Sequence, residues 1–284
     1  MFQKKSNYIR GTEILAEGKT KILLDVVGEP NLTDVVSKDD ITAGDGKKHD
    51  VILGKGAVSN QTACNIFRVL AAHTIPTAFK EQSGPNSFIA EKCEMFPYEV
   101  VVRRRAYGSY LQRFPEVPKG FEFPELITEF FLKTKDRQWK GKVLVCDDPL
   151  MIHDAPTGTI SLYDAHKPMK DQPEPFLVLD ETEVFIVENE SKYFTKMAAI
   201  ARESFRILGE FFAALEYDYV DFKVEFGITA SGRVVLADLI DSDSGRLLDA
   251  EGNHVDKQYY REGGDLDKLM KKFRLVADLT SKFQ

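Results

Sequence analysis

Residues 220–247 read VDFKVEFGITASGRVVLADLIDSDSGRL, a stretch that gathers carboxylates into a pattern otherwise typical of buried sheet. From 220 to 228 apolar and charged residues alternate. Val220, Phe222, Val224, Phe226 and Ile228 therefore share one face of a strand, while Asp221, Lys223 and Glu225 line the other. Residues 229–233, with Ser231-Gly232, read as a hairpin loop, and 234–240 as the returning strand. That return carries Asp238 among Val235, Leu236, Ala237, Leu239 and Ile240, where a lone carboxylate is costly unless a cation or donor meets it. Two carboxylates on adjacent antiparallel strands make a candidate magnesium clamp.

The chain around this hairpin has 284 residues, enough to bury a sizeable core in one large domain or two lobes. A formal net charge of −7 argues against a general binder of nucleic acid or anionic membranes, although a local basic pocket can still take a small phosphate ester. Cys64, Cys93 and Cys146 are far apart and form no CxxC pair, so neither a disulfide framework nor a structural zinc site is expected. The start, MFQKKSNYIRG, lacks an apolar segment after its basic residues, and no apolar run reaches membrane-spanning length. The expectation is an unprocessed protein of the reducing cytosol.

Residues 14–27 form two apolar stretches split by Glu17-Gly18-Lys19-Thr20-Lys21, the pattern of a hairpin with a glycine turn. It is not a P-loop: position 13 is Glu where glycine is required, and Ile22-Leu23-Leu24 reads as strand where a helix should follow. Thr42-Ala43-Gly44-Asp45-Gly46 is a glycine-rich turn tipped by one aspartate. Gly54-Lys55-Gly56 precedes a helical pattern over 57–73, but Ser59 stands where a dinucleotide fingerprint needs its third glycine.

Residues 76–79 and 87–90 read as short strands, and Met95-Phe96-Pro97 as an interruption before a strong strand over 98–105. That strand ends in Arg103, Arg104 and Arg105 just before a helix beginning at Tyr110, a candidate anion site where guanidinium forks meet free backbone N–H groups. Residues 134–180 hold five prolines with poor periodicity and read as a long irregular excursion. His153, Asp154 and His166 within it match no metal-ligand spacing and read as surface residues. A helix over 192–215 carries the core stripe Phe194, Met197, Ala201, Phe205, Leu208 and Phe212. Asp241 and Asp243 hint at a calcium loop, but Gly245 and Arg246 occupy positions where an EF-hand needs a ligand and then glycine. A closing helix starts at Asp265, with Leu266, Leu269, Phe273 and Val276 inward.

EGKTK at 17–21, SKDDITAGDG at 37–46, CEMFPYEVVVRRRAYGSYLQR at 93–113, DFKVEFG at 221–227 and ADLIDSDSGRL at 237–247 together resemble the phosphoribosylaminoimidazole-succinocarboxamide synthase (SAICAR synthetase) family. The motifs fall in that family's order and span almost the whole chain. The resemblance implies an α+β fold of two lobes related to protein kinases and ATP-grasp enzymes, with mainly antiparallel sheets, flanking helices and ATP between the lobes. It implies a β-rich lobe over 1–96 covering the nucleotide and a larger lobe over 97–284 carrying metal and substrate sites.

It also implies roles. Lys19 and Lys21 would lie against the ATP phosphates, Glu94 and Met95 would border the adenine, and Glu225 and Asp238 would hold Mg2+ beside the nucleotide. Arg103, Ser109 and Arg246 would bind carboxyaminoimidazole ribonucleotide. Asp45, Asp221, Lys223 and Asp243 would orient that substrate and L-aspartate, with Asp221, Lys223 and Asp243 nearest the chemistry, and Lys257 and Arg261 would reach the same cleft. The partners implied are these small molecules, with neither nucleic acid nor membrane, and a homo-oligomer is compatible with the family. Two departures stand out: the 134–180 stretch is longer than in compact members, and Gly245 precedes Arg246 where relatives often have a larger or polar residue. Two other readings use fewer of the motifs: a small-molecule kinase of the same architecture, and a non-catalytic divalent-cation binder using Asp238, Asp241 and Asp243. A cation-binding module has no need of Arg103 and Arg246.

Overall fold

The computed structural model describes residues 6–43 and 48–283, so the Asp45 expectation lies outside the described residues. The chain divides into two compact units. One comprises Met1–Glu94, Ile207–Tyr219 and Gly227–Gln284, and the other Met95–Arg206 and Val220–Phe226. The second unit is thus inserted, in two pieces, between parts of the first.

The first unit opens with strands β1 (Arg10–Glu17), β2 (Lys21–Val26) and β3 (Leu32–Ser37), followed by the small hairpin β4 (Asp40–Ala43) and β5 (Lys48–Val51). Helix α1 (Lys55–Ala72) and strands β6 (Phe79–Gly84) and β7 (Ser87–Glu91) complete this part. The main sheet has the order β1-β2-β3-β7-β6. The predicted glycine hairpin is present, closed by the Gly18 amide donating to the Lys21 carbonyl at 2.9 Å. The strand expected at 76–79 begins only at Phe79, because Thr77 makes a single isolated bridge to Leu236.

Helix α1 starts from Gly54 in the left-handed region at φ 83°, and Gly54 has no side chain to cap it. The Asp39 carboxylate supplies the missing acceptor, taking the Gly54 and Gly56 amides at 3.0 and 2.8 Å. Gly56 has to be glycine for another reason: a Cβ there would sit 2.6 Å from the Ser37 carbonyl oxygen.

The second unit is built on β8 (Cys93–Arg105), α2 (Ser109–Arg113), β9 (Glu122–Leu132), the short pair β10 (Gln138–Trp139) and β11 (Lys142–Val143), β12 (Leu150–Asp154), β13 (Thr159–Tyr163) and β14 (Leu177–Asp180). Helices α3 (Glu181–Val184) and α4 (Ser191–Ala213) lead into β15 (Asp218–Thr229). Its sheet runs β14-β13-β12-β9-β8-β15.

Two expectations are corrected here. Met95-Phe96-Pro97 does not interrupt β8, because Pro97 loses only a donor and its carbonyl still accepts the Lys133 amide at 2.8 Å. The 134–180 stretch is not an irregular excursion but three paired strands, β12, β13 and β14, extending the sheet beyond β9. Its prolines all fall outside these strands, Pro149 just before β12 and the other four in the links between β12, β13 and β14. His153 is no surface residue either. Its side chain is 8 % exposed and accepts or donates at 2.9 Å with Glu181, and its ring stacks on Phe194 at 4.7 Å.

One face of this sheet is apolar because β8 and β15 alternate. Tyr98 packs on Phe194 of α4 at 5.0 Å between ring centroids, and Phe222 on Phe205 at 5.4 Å. The stripe Phe194, Met197, Ala201 and Phe205 is buried as the helical spacing predicts. Each such ring removed from water contributes roughly 1.5–3 kcal/mol.

Past Phe226 the chain belongs to the first unit again, with β16 (Val234–Leu236), β17 (Gly245–Leu248), α5 (Gln258–Arg261) and α6 (Leu266–Thr280). The return strand, expected to reach Ile240, stops at Leu236. The Asp238 carboxylate takes the amide of Leu239 at 2.6 Å, a local bond that competes with strand pairing. Asp265 caps α6 through the Lys268 amide at 3.0 Å. Ile41, Tyr260, Leu269 and Phe273 form one core cluster of this unit, which joins the β4–β5 hairpin to α5 and α6.

Candidate active site

In the second unit the charged side chains share the sheet face opposite α4. The β8–β9 register pairs Val101 with Glu129 and Arg103 with Ile127, so Arg103 and Glu129 are diagonal neighbours on one face. Period two puts Glu99 on that face of β8, and Asp221, Lys223 and Glu225 together on one face of β15. Contacts follow this arrangement. Arg103, only 3 % exposed, donates from Nε to Glu129 at 2.7 Å, from Nη1 to Asp221 at 3.0 Å and from Nη2 to the Ser109 hydroxyl at 3.2 Å. Lys223 donates to Glu99 at 2.5 Å, and Lys133 to Glu225 at 2.5 Å.

Arg113, from α2, reaches the other oxygen of Glu129, so one carboxylate separates two buried guanidiniums. Burial works against the charge of Arg103, but Glu129 and Asp221 outweigh it and hold its pKa above the ordinary value. Burial dominates at Arg113, with Arg103 repelling it, and its pKa falls below the ordinary value. The Arg103 fork is thus fixed by two carboxylates and a hydroxyl.

In the first unit Lys21, the first residue of β2, reaches across to the carboxylate of Asp238. Lys19 lies exposed in the turn just before β2. The segment after β16 folds on itself: Asp241 accepts the Asp243 amide at 2.8 Å, and the Ser244 hydroxyl donates to the Leu239 carbonyl at 3.0 Å. Asp243 Oδ2 meets two ammonium groups, Lys257 at 3.3 Å and Lys55 at 3.4 Å. Burial and the neighbouring Asp243 raise the pKa of Asp241. Burial pushes Asp243 the same way, but Lys55 and Lys257 overcome it and hold Asp243 below the ordinary carboxylate range. Burial lowers the pKa of Lys257, with Asp243 opposing.

The residues singled out from sequence thus form two groups. Arg103, Ser109 and Asp221 are bonded together, with Lys223 and Glu225 on the same sheet face of the second unit. Lys21 with Asp238, and Asp243 with Lys257, are paired in the first. Arg246 is the second residue of β17, and Arg261 ends α5 with a bond to Gln258 at 3.3 Å. Glu94 and Met95 are exposed near the start of β8.

Sequence reading missed Lys55, Glu129, Arg113, Glu99 and Lys133. Glu129 and Lys133 fall in ITEFFLK, where polar and apolar residues alternate poorly, and β9 was not anticipated at all. Lys55 carried a signal in Gly54-Lys55-Gly56, which the failed dinucleotide fingerprint obscured.

The model of the SAICAR synthetase family matches residues 14–148 and 168–276, covering these groups on both sides of one gap. The chain belongs to the SAICAR synthetase family. A phosphoribosylaminoimidazole-succinocarboxamide synthase of Herpetosiphon aurantiacus is 35% identical over 95% of this chain and 98% of its own length. A bifunctional phosphoribosylaminoimidazole carboxylase and succinocarboxamide synthetase of Drosophila melanogaster is 36% identical over 94% of this chain, which spans 57% of that longer protein. Among solved structures, a SAICAR synthetase in complex with ADP superposes with a TM-score of 0.72 at 31% identity, covering 95% of this chain and 97% of that one. The residues left between the two matched segments, 149–167, hold β12 and β13.

Proposed function

We propose that this chain is an ATP-dependent carbon–nitrogen ligase. It joins the carboxylate of carboxyaminoimidazole ribonucleotide to the amine of L-aspartate and releases ADP and phosphate, a step of purine biosynthesis toward IMP. The observation that carries this reading is the end-to-end similarity to a synthase of that name, over 95% of this chain and 98% of the relative. The bound ADP of a similar structure supports nucleotide use. No observation favours the kinase reading. The substrates are small anions, and we assign the activity to the cytosol.

In this reading Lys19 and Lys21 bind phosphate oxygens of ATP, where ammonium point charges offset the repulsion between them. Glu94 and Met95 border the base. Arg103, Ser109 and Arg246 hold the ribonucleotide's phosphate and carboxylate, and Lys257 and Arg261 hold its anionic companions. Glu225 and Asp238 fit magnesium by their chemistry: both offer hard carboxylate oxygens, and both are held against an ammonium, Lys133 and Lys21, so each site already accommodates positive charge. Among the described residues no three of His, Cys, Asp and Glu gather into a metal cage. An ion here would be held by one or two carboxylates, with phosphate oxygens and water completing its shell. When bound, magnesium neutralises charge developing on the phosphoryl oxygens.

A carboxylate is a poor electrophile, so the substrate carboxylate oxygen first attacks the γ-phosphorus, forming an acyl phosphate and releasing ADP. The fixed cations around Arg103 and Lys21 stabilise the charge that moves onto oxygen in this step. The aspartate amine then attacks the acyl carbon, the C–O bond to phosphate breaks, and the amine proton passes to a base. Asp221 and Asp243 are the carboxylates on the two paired groups that can take it, and Lys223 orients the reacting carboxylate.

The test is ADP release measured with each substrate omitted in turn. Release that requires both the ribonucleotide and L-aspartate, with an amide product, is the expected result. Release supported by a hydroxyl acceptor alone, with a stable phosphoester, would instead identify a kinase. Magnesium or calcium binding without nucleotide turnover under any pair would identify a cation-binding module.

A further inference from the structure

Lys55 belongs to no motif used above, yet its placement is unusual. It is 1 % exposed at the first turn of α1, where a cationic side chain gains nothing from the helix dipole. An ammonium is removed from water only where an anion compensates, and here the anion is Asp243 Oδ2 at 3.4 Å. Lys257, at the start of α5, meets the same oxygen at 3.3 Å. The other carboxylate oxygen, Asp243 Oδ1, is buried and has no hydrogen-bond partner among the described residues.

We infer that Lys55 is a positioning residue for the proposed reaction: with Lys257 it holds Asp243 by one oxygen, leaving the other to accept a hydrogen bond from an N–H group of a substrate. The inference rests on the ligase reading and names a residue that reading does not use.

The charges around Asp243 explain why two lysines are needed. Asp241 faces it from the same loop, Lys55 from α1 and Lys257 from α5, with Arg261 of α5 acting on Lys257. Two carboxylates and two ammoniums balance. Without Lys55 the cluster carries an uncompensated negative charge in a largely dry place, and the cheapest remedy is a proton on a carboxylate. A protonated Asp243 neither accepts as strongly nor takes a proton. Helix α1 is rigidly set for this task, since Asp39 fixes its first amides and Gly56 lets its first turn approach the Ser37 carbonyl.

The experiment is the pH profile of kcat/KM for L-aspartate and for the ribonucleotide in wild type, Lys55→Met, Lys55→Met with Asp241→Asn, and Lys55→Arg, with thermal unfolding followed on each. Lys55→Met is expected to move the acidic limb upward by about 1–3 pH units, the effect of losing an opposite charge at this range. Asp241→Asn in that background should return the limb toward wild type, a rescue that a purely structural role for Lys55 would not give. Folded Lys55→Met with the wild-type limb, or a limb unaffected by the added Asp241→Asn, overturns the inference. If Lys55→Met does not fold at the assay temperature, Lys55→Arg decides: a wild-type limb supports the role of the charge, and a raised limb overturns it. Wild-type enzyme inactive with both substrates would sink the ligase reading itself, an outcome distinct from any of these.

Discussion

Arg103 shows how much one side chain can organise. Its guanidinium meets Glu129, Asp221 and Ser109 from three different elements. Arg103→Ala would leave two carboxylates buried with reduced compensation, and breaking a buried pair of this kind costs about 3–5 kcal/mol. Chemical denaturation of the variant should show that loss, and a midpoint within error of wild type would mean the cluster relaxes freely. Asp238 answers a different question. It is partly exposed, as is its partner Lys21, each side chain being 28% exposed. Asp238→Asn should therefore abolish turnover while leaving the unfolding midpoint nearly unchanged; full activity in that variant would remove Asp238 from the metal and phosphate site.

The three thiols give a further residue-level expectation. Burial pushes Cys64 up to about 12, and Cys93 and Cys146 to about 11. Alkylation of the native protein near pH 8 should be slow at all three, because the thiolate is the reactive form. Rapid labelling of any of them by mass spectrometry would contradict the packing around it.

Among the elements, α1 depends on a residue outside itself. Asp39→Ala removes the acceptor of the Gly54 and Gly56 amides and should cost about 1 kcal/mol, read from a urea midpoint. Strand β7 offers a test by pH. Glu91 lies between Lys80 and Arg233, at 2.7 Å from the latter. Burial alone would raise its pKa, but these two cations bring it below the ordinary glutamate value. A depressed carboxylate adds stability above its unfolded pKa and loses it as pH falls through the lower, folded value. Arg233→Met should thus lower stability at pH 7 by about 0.5–1 kcal/mol, discounted for exposed partners. The difference from wild type should vanish in acid below the folded pKa of Glu91. A difference that persists there would mean Arg233 acts through packing.

The same scale explains what sequence could reveal. The glycine hairpin, α1, α4, α6 and the Val220–Phe226 alternation were legible because each keeps its period over two or more turns or pairs. The extension at β12, β13 and β14 was hidden by strand length: Thr159-Ile160-Ser161-Leu162-Tyr163 alternates, but five residues between prolines are too few to outweigh the turn signals. The return strand was overextended because nothing in VVLADLI marks the point where the Asp238 side chain takes a backbone amide. The Arg103 cluster was half visible, as arginines at a strand end. Its counter-charge Glu129 was not, because a carboxylate on an unanticipated strand has no face assigned to it. Lys55 has no signature in sequence beyond its flanking glycines, since burial of a lysine is a tertiary fact.

For the molecule as a whole, ligand linkage is the most direct measure of the proposed activity. A nucleotide bound only to the native state at a hundred times its Kd stabilises by about 2.7 kcal/mol. ADP with magnesium should raise the unfolding temperature of wild type and fail to do so in Lys21→Ala. An unchanged wild-type temperature at saturating nucleotide would count against nucleotide binding.

The chain's route between its two units bears on how it is made. Residues 1–94 belong with 207–219 and 227–284, while 95–206 and 220–226 form the other unit. During synthesis the second unit is therefore complete once residue 226 has emerged. Lys21 and Lys55 of the first 94 residues wait for Asp238 and Asp243, which follow only after the second unit. The N-terminal sheet can pair its own strands early, but its unit is completed only after the second one. On the ribosome, protease resistance should appear in the middle of the chain before its beginning. Chaperone capture should concentrate on the nascent β1–β7 sheet until α6 is released.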